Sequence, residues 1–368
     1  MRLGMTPANA AERDALDSGA VPVPFFETHM AFGLARAVMA ATTLGIFESL
    51  TGGAATADVI ADRCRTDPTA THKLLTALAG CGYLESGEGR YALSPMARTW
   101  LVLESPRSLV HTLMFAYYEW DLMSHVEDYM RTGRPVDVHE RMTGHQWELY
   151  QRSMRGLAAQ SAHAAAQAIP VPEGAATMMD IGGSHGYYSV ALCRRHPGLR
   201  STVLDLPEAI SSAAPLLAAE NMGDRVVHRE GDALTHDLGV GAYDVVLVSN
   251  LAHHFSAPQN KELFTRIARA LRPNGVFAVL EPFRSDTAAG VGQLAALSEL
   301  YFGLTSRSGT WAVHEIAQWQ RDAGLLPATH PVALSSGDIG LQLAFKTPQA
   351  STVGDAANST TPATDNDG

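Results

Sequence analysis

From Thr177 onward the chain alternates short apolar runs with helical stretches, and that alternation leaves few folds open. The pattern predicts strands at 177–181, 200–204, 225–229, 244–249 and 276–280, separated by helices such as 186–195 and 261–271. Repeated strand–helix–strand units imply a parallel sheet with helices on both faces, a doubly wound α/β domain. Two later runs, 328–334 and 341–346, read as a hairpin at the sheet edge. Beyond Thr347 the composition turns to Ser, Thr, Asp, Asn and Gly, which reads as a disordered tail over 348–368.

The α/β pattern occupies 171–347, so the 368-residue chain has room for a second domain ahead of it. With 27 Lys and Arg against 38 Asp and Glu, the net charge of −11 argues against a nucleic-acid backbone as partner. Cys64, Cys81 and Cys193 are far apart and odd in number, so neither a disulfide framework nor a zinc site follows. No apolar run approaches the ~20 residues of a membrane span, and the first two dozen residues lack an apolar signal core. A cytoplasmic protein with no membrane partner is expected.

Residues 1–24 read as a flexible arm rich in Ala, Pro and acids. A helical pattern follows over 25–50, with Phe26, Met30, Leu34, Val38 and Met39 at helical spacing and a thin polar face, suited to a subunit interface. Two short helices, 56–63 and 69–81, come next, with Thr56 and Thr69 as N-caps and Pro68 as the break. A hairpin of 82–84 and 90–93 turns about Gly87 and Gly89. Helix–turn–helix plus hairpin is a winged-helix pattern over 25–104. Five basic residues face five acidic ones across 56–98, which favours a dimerisation role over DNA binding. Residues 105–170 read as a helical linker whose aromatics are candidates for pocket walls.

The first strand ends in Asp180-Ile181-Gly182-Gly183-Ser184-His185-Gly186. Glycines here let the backbone turn tightly and approach a ligand. The spacing is not that of a dinucleotide fingerprint, and no Lys-Ser or Lys-Thr is present for a nucleotide phosphate, so a ligand with a ribose and no phosphates is implied. Asp205, at the end of the second strand, is placed to take both ribose hydroxyls, and Asp232, after the third, to accept from an adenine amino group.

These motifs, together with Asp205-Leu206-Pro207, Gly231-Asp232-Ala233, Leu251-Ala-His253-His254-Phe255 and Arg272-Pro-Asn-Gly275, resemble the small-molecule O-methyltransferases of caffeate and acetylserotonin type, over nearly everything from Phe25 to Lys346. The resemblance implies a class I Rossmann-like domain binding S-adenosyl-L-methionine (SAM), an N-terminal winged-helix dimerisation domain, a homodimer and a small-molecule acceptor, here of natural-product type. It assigns the cofactor site to Asp180, Gly182, Gly183, Gly186, Asp205, Leu206, Asp232, Ala233 and Ser249. It makes His253 the general base and Glu281 the carboxylate that orients it, a pairing suited to imidazole near neutral pH. Phe115, Tyr118, Trp120, Met123, Phe302 and Trp311 are the pocket candidates, favouring an aromatic or polyketide-like acceptor.

Three positions depart from the family pattern. His254-Phe255 replaces Asp-Trp after the base, Ser249 stands where a lysine is usual, and Ser308 stands where a second glutamate is usual, leaving His253 one carboxylate partner. They leave open a metal-assisted C-methyltransferase acting on a 2-oxo acid, with His253, His254 and His314 as ligands. Against it, adjacent histidines at a strand end point to opposite faces unless the backbone turns there. A SAM-binding cousin that does not transfer methyl, or a winged-helix regulator, is the other alternative.

Overall fold

The computed structural model describes residues 4–285, 292–334 and 339–348, so the tail expected over 348–368 lies, from residue 349, outside the described residues. Within the expected arm, Ala10–Asp17 forms a helix with no buried residue, capped by the Asn9 side chain, which accepts from the Glu12 amide at 3.0 Å.

The helix expected over 25–50 is shorter and broken. It runs as Val23–Phe25, a π-helical turn at Phe26–Met30, and Ala31–Thr43. Gly45, at φ +75°, ends it: its amide bonds to Thr42 O at 3.1 Å and that of Ile46 to Ala41 O at 2.9 Å, a Schellman closure. The helices Ala57–Cys64 and Pro68–Gly80 follow. Thr56 caps the first as expected, but Asp67, not Thr69, caps the second, accepting from Ala70 N at 2.8 Å. Pro68 therefore opens that helix, where its missing N–H costs nothing. Leu84–Gly87 pairs antiparallel with Arg90–Leu93, and Ala55–Thr56 adds a third strand to this small wing. Ile46, Phe47, Leu50, Ile60, Leu75, Leu78 and their neighbours fill its own core.

The large sheet contains β1 (Thr177–Ile181), β2 (Arg200–Asp205), β3 (Val226–Glu230), β4 (Tyr243–Ser249), β5 (Leu271–Pro282), β6 (Val332–Ala333) and β7 (Ile339–Phe345), with the two-residue strand Leu326–Pro327 pairing antiparallel to the end of β7. Their order is β3-β2-β1-β4-β5-β7-β6. The first five strands are parallel, while β7 runs antiparallel between β5 and the short edge strand β6. β5 starts earlier than expected. Leu271 pairs with Tyr243, residues 272–275 loop out with Asn274 at φ +64°, and pairing resumes at Val276 opposite Val245.

Side chains alternate between the two faces. Met178, Val203, Val245, Leu247 and Leu280 pack with helices Gly144–Ala168 and Tyr187–Arg195, and Met179, Leu204, Val246, Val248 and Phe277 pack with Ala257–Ala270 and Val313–Asp322. Each such side chain contributes about 1.5–3 kcal/mol on burial, which fixes the register of the strands. Chain order reverses between β1 and β4, so the loops after Ile181 and Ser249 open a crevice between them, where sheets of this kind take their ligands. No described helix is long and apolar enough to cross a membrane.

Candidate active site

The turn after β1 is shaped by its neighbours. Gly182 sits at φ +67°, and a Cβ there would lie 2.7 Å from the Leu251 side chain. A Cβ on Gly183 would lie 2.4 Å from the Asp180 carboxyl carbon. Gly186, at φ +69°, starts the helix Tyr187–Arg195 against Val203 and Leu217. Ser184 ties the turn to three elements. Its amide donates to Asp205 Oδ2 at 2.8 Å, its hydroxyl to Gln151 Oε1, and its carbonyl lies 2.8 Å from His228 Nε2.

Asp180 is fully buried and accepts from Ser189 Oγ at 2.7 Å. Burial pushes its carboxyl up to about 7, Ser189 opposing and the Asp205 charge adding to the rise. Burial also raises Asp205 to about 6, against the pull of the Leu206 and Ser184 amides it accepts from. At the end of β3, Asp232 is exposed and its Oδ1 accepts from the Leu234 amide at 2.8 Å, while Ala233 is buried. Leu206 is 43% exposed and caps the helix Pro207–Ala219.

Across the crevice, β4 ends at Ser249 and the backbone turns sharply. Asn250 takes φ +48°, and Ala252–His254 make one 3-10 turn. The adjacent histidines therefore do not diverge: their ring centres are 4.2 Å apart and both line one cavity. His253 Nδ1 lies 2.7 Å from Glu281 Oε2, while Glu281 Oε1 accepts from the Leu251 and Ala252 amides at 2.7 and 2.6 Å. A carboxylate on Nδ1 assigns the ring proton to that nitrogen and leaves Nε2 unprotonated. Burial lowers His254 well below its ordinary value, and His139, whose ring meets it edge-on at 4.7 Å between centres, falls to about 4.

The cavity in front of His253 measures about 410 Å³ and also touches Gly182, Gly183 and Ser249, so acceptor and cofactor residues share one space. Of the six pocket candidates, Phe115 and Phe302 line it, Phe302 with its ring 4.4 Å from His253. Tyr118 lies behind Phe115 and bonds the Val138 carbonyl at 3.4 Å. Trp120 and Met123 face the other way, into an outer cavity of about 860 Å³ against the helix Ala31–Thr43. Helical geometry explains the split, since Phe115 and Glu119 share a face and Trp120 is turned about 100° from it. Trp311 supports the site from behind, donating to Ala252 O at 2.9 Å. Ser308 lies at a separate surface cavity with Tyr129 and Gly303. Tyr150, one of the aromatics of 105–170 expected as pocket walls, lines the catalytic cavity, and Glu119, His139 and Tyr301 line it without a signal in the sequence.

No group of three His, Cys, Asp or Glu side chains among the described residues gathers as a metal site, and His253 commits Nδ1 to Glu281, so the C-methylation alternative gains no support. The residues do fit SAM. Gly182, Gly183 and Ser249 line the cavity, a carboxylate stands at Asp205, and Gln151 Nε2 is buried beside Ser184 without a partner.

A switch-point crevice of this strand order, glycine-lined on one side and bearing a carboxylate-held imidazole on the other, defines a Rossmann-like SAM-dependent methyltransferase. The O-methyltransferase domain family matches residues 128–312, and the O-methyltransferase dimerisation domain family matches residues 26–103. The chain belongs to the O-methyltransferase family. It is 30% identical over 311 residues to the 3-hydroxy-5-methyl-1-naphthoate 3-O-methyltransferase of Streptomyces sahachiroi, covering 82% of this chain and 89% of that one. It is 29% identical over 319 residues to the tetracenomycin polyketide synthesis 8-O-methyltransferase of Streptomyces glaucescens, covering 82% and 91%. In fold it resembles human N-acetylserotonin methyltransferase in complex with SAM, with TM-score 0.78 at 18% identity over 93% of this chain and all of that one. Neither the regulator nor the non-methylating alternative gains support from these matches.

Proposed function

We propose that this enzyme methylates a hydroxyl of an aromatic, polyketide-like small molecule, with His253 as general base and Glu281 holding it. The observation that carries this reading is the His253–Glu281 pair at 2.7 Å, on the wall of an aromatic cavity that also reaches the glycine turn. When bound, SAM supplies a methyl already activated by its sulfonium. Gly182, Gly183, Gly186, Asp205, Leu206, Asp232, Ala233 and Ser249 would hold it, with Asp180 bracing the turn from below. His253 Nε2 takes the hydroxyl proton as the acceptor oxygen attacks, and Glu281 stabilises the imidazolium that results. The acceptor hydroxyl is confined against Phe302 and Phe115, and orientation of this kind supplies much of the barrier reduction. The hydroxynaphthoate acceptor named for one relative, and the polyketide synthesis named for the other, support an aromatic, polyketide-like acceptor class.

The enzyme works as a homodimer in this reading. Phe26, Met30 and Phe32 are 37–55% exposed, within the stretch matched by the dimerisation family, and Phe25, just ahead of it, is 48% exposed.

The test is His253→Ala. Affinity for SAM or its demethylated product, by calorimetry, stays within a few-fold, while transfer of labelled methyl to phenolic acceptors falls by roughly 10²–10⁴-fold. Equal loss of both removes the role assigned to His253.

A further inference from the structure

Two side chains stand at both the catalytic and the outer cavity: Glu119, on the helix Val110–Met123, and Tyr301, on the helix Gln293–Thr305. Tyr301 Oη donates to Glu119 Oε1 at 2.9 Å. Phe302 separates this pair from the base, its ring centre 4.4 Å from His253 and 5.3 Å from Tyr301. The methyl-transfer reading uses neither Glu119 nor Tyr301.

We propose that Glu119, steadied by Tyr301, recognises the acceptor: it accepts a hydrogen bond from a hydroxyl or amino substituent about one ring away from the hydroxyl offered to His253, and it turns away acceptors carrying a carboxylate there. This rests on the cavity being the acceptor site. A carboxyl among aromatic walls is costly to bury, and two apolar side chains would fill the same place without that cost. Burial raises the Glu119 carboxyl, and the Tyr301 bond offsets only part of the rise. One oxygen is used by Tyr301, while a carboxylate has capacity for about four donors, so acceptor capacity is left over at the cavity wall.

The rest of the wall sets the sign. Among the described residues that line this cavity there is no Lys or Arg, and Glu119 is its one carboxylate. Burial lowers His139 to about 4 and His185 to about 3, and lowers His254 as well, so these three are uncharged near neutral pH. A hydrogen-bond donor or an ammonium group is therefore matched at Glu119, and an anion meets an uncompensated negative charge.

The experiment is calorimetry on protein loaded with S-adenosylhomocysteine, in wild type, Glu119→Gln and Glu119→Leu. The probes are 2-naphthol, 2,7-dihydroxynaphthalene, 7-amino-2-naphthol and 7-hydroxy-2-naphthoate. In wild type the diol and the aminonaphthol bind about tenfold tighter than 2-naphthol, and the naphthoate about tenfold weaker or worse, the scale of one hydrogen bond to a charged group. Glu119→Leu abolishes the ranking. Glu119→Gln, which keeps the shape and an acceptor oxygen, retains the preference for the diol and stops rejecting the naphthoate. It carries the test if the leucine variant no longer binds S-adenosylhomocysteine. An unchanged ranking in both variants, or no ranking in wild type, overturns the assignment of Glu119. If no probe binds to cofactor-loaded wild type, the reading of the cavity itself falls, and the assignment with it.

Discussion

His253 Nδ1 and Glu281 Oε2 are 2.7 Å apart, and each residue is 3% exposed, so one carboxylate fixes both the tautomer of the base and, through its other oxygen, the backbone turn that carries it. The two functions separate on substitution.

Glu281→Gln keeps an acceptor for the Leu251 and Ala252 amides but turns an NH₂ toward Nδ1. That favours the tautomer with a proton on Nε2, which is no base. Turnover falls by roughly 10²–10⁴-fold with little change in cofactor affinity or melting temperature. Glu281→Ala also strands two buried amides and lowers stability by about 2–4 kcal/mol. Steady-state kinetics beside thermal melts separate the cases, and a glutamine variant of near-wild-type turnover contradicts the tautomer argument.

Gly183→Ala drives a methyl into the Asp180 carboxyl, 2.4 Å away. The turn must shift, at about 1–3 kcal/mol of stability. Cofactor affinity falls by about tenfold or more because Ser184, the next residue, is bonded to Asp205. Binding calorimetry on the folded variant checks this, and an unchanged Kd means the turn does not shape the cofactor site.

Asp180 gives a pH signature. Its folded carboxyl titrates near 7 and its unfolded one near 3.8, so between those values the folded protein holds a proton that the unfolded chain has released, and stability drops as pH rises through the window. His139 and His185, held low, act with the opposite sign but are common to wild type and variant. The melting temperature of Asp180→Asn minus that of wild type, measured without cofactor, therefore grows from pH 5 to pH 8. A flat difference shows that Asp180 titrates normally.

Met30 and Phe32 are 53% and 55% exposed, and Phe32 packs against Trp120 at 5.5 Å between ring centres. Met30→Glu with Phe32→Glu places charge on the apolar face assigned to the subunit contact. Sedimentation velocity shifts from dimer toward monomer at micromolar protein, and an unchanged dimer relocates the interface.

Much of the α/β half was legible because its signals are local. Short apolar runs, glycine turns and acids at strand ends read directly as β1 to β4, and those strands stand within a residue of their expected bounds. The N-terminal helix was overextended because apolar spacing does not register the left-handed turn at Gly45. The start of the second wing helix was misplaced because Thr69 and Asp67 are both good caps, and only the hydrogen bond to Ala70 chooses between them.

The sequence by itself determined the strand–helix alternation, the glycine turn after Asp180, and the histidine and glutamate at two strand ends, since each depends on backbone conformation or residue chemistry within a short window. Tertiary structure decided which side chains share a space. Helix rotation sent Trp120 and Met123 to the outer cavity and Glu119 to the wall between the two, and a single helical turn brought His253 and His254 to the same wall. Such meetings join residues more than a hundred positions apart, as Glu119 and Tyr301 are, and they follow from how packed elements are turned against one another, which no local pattern encodes.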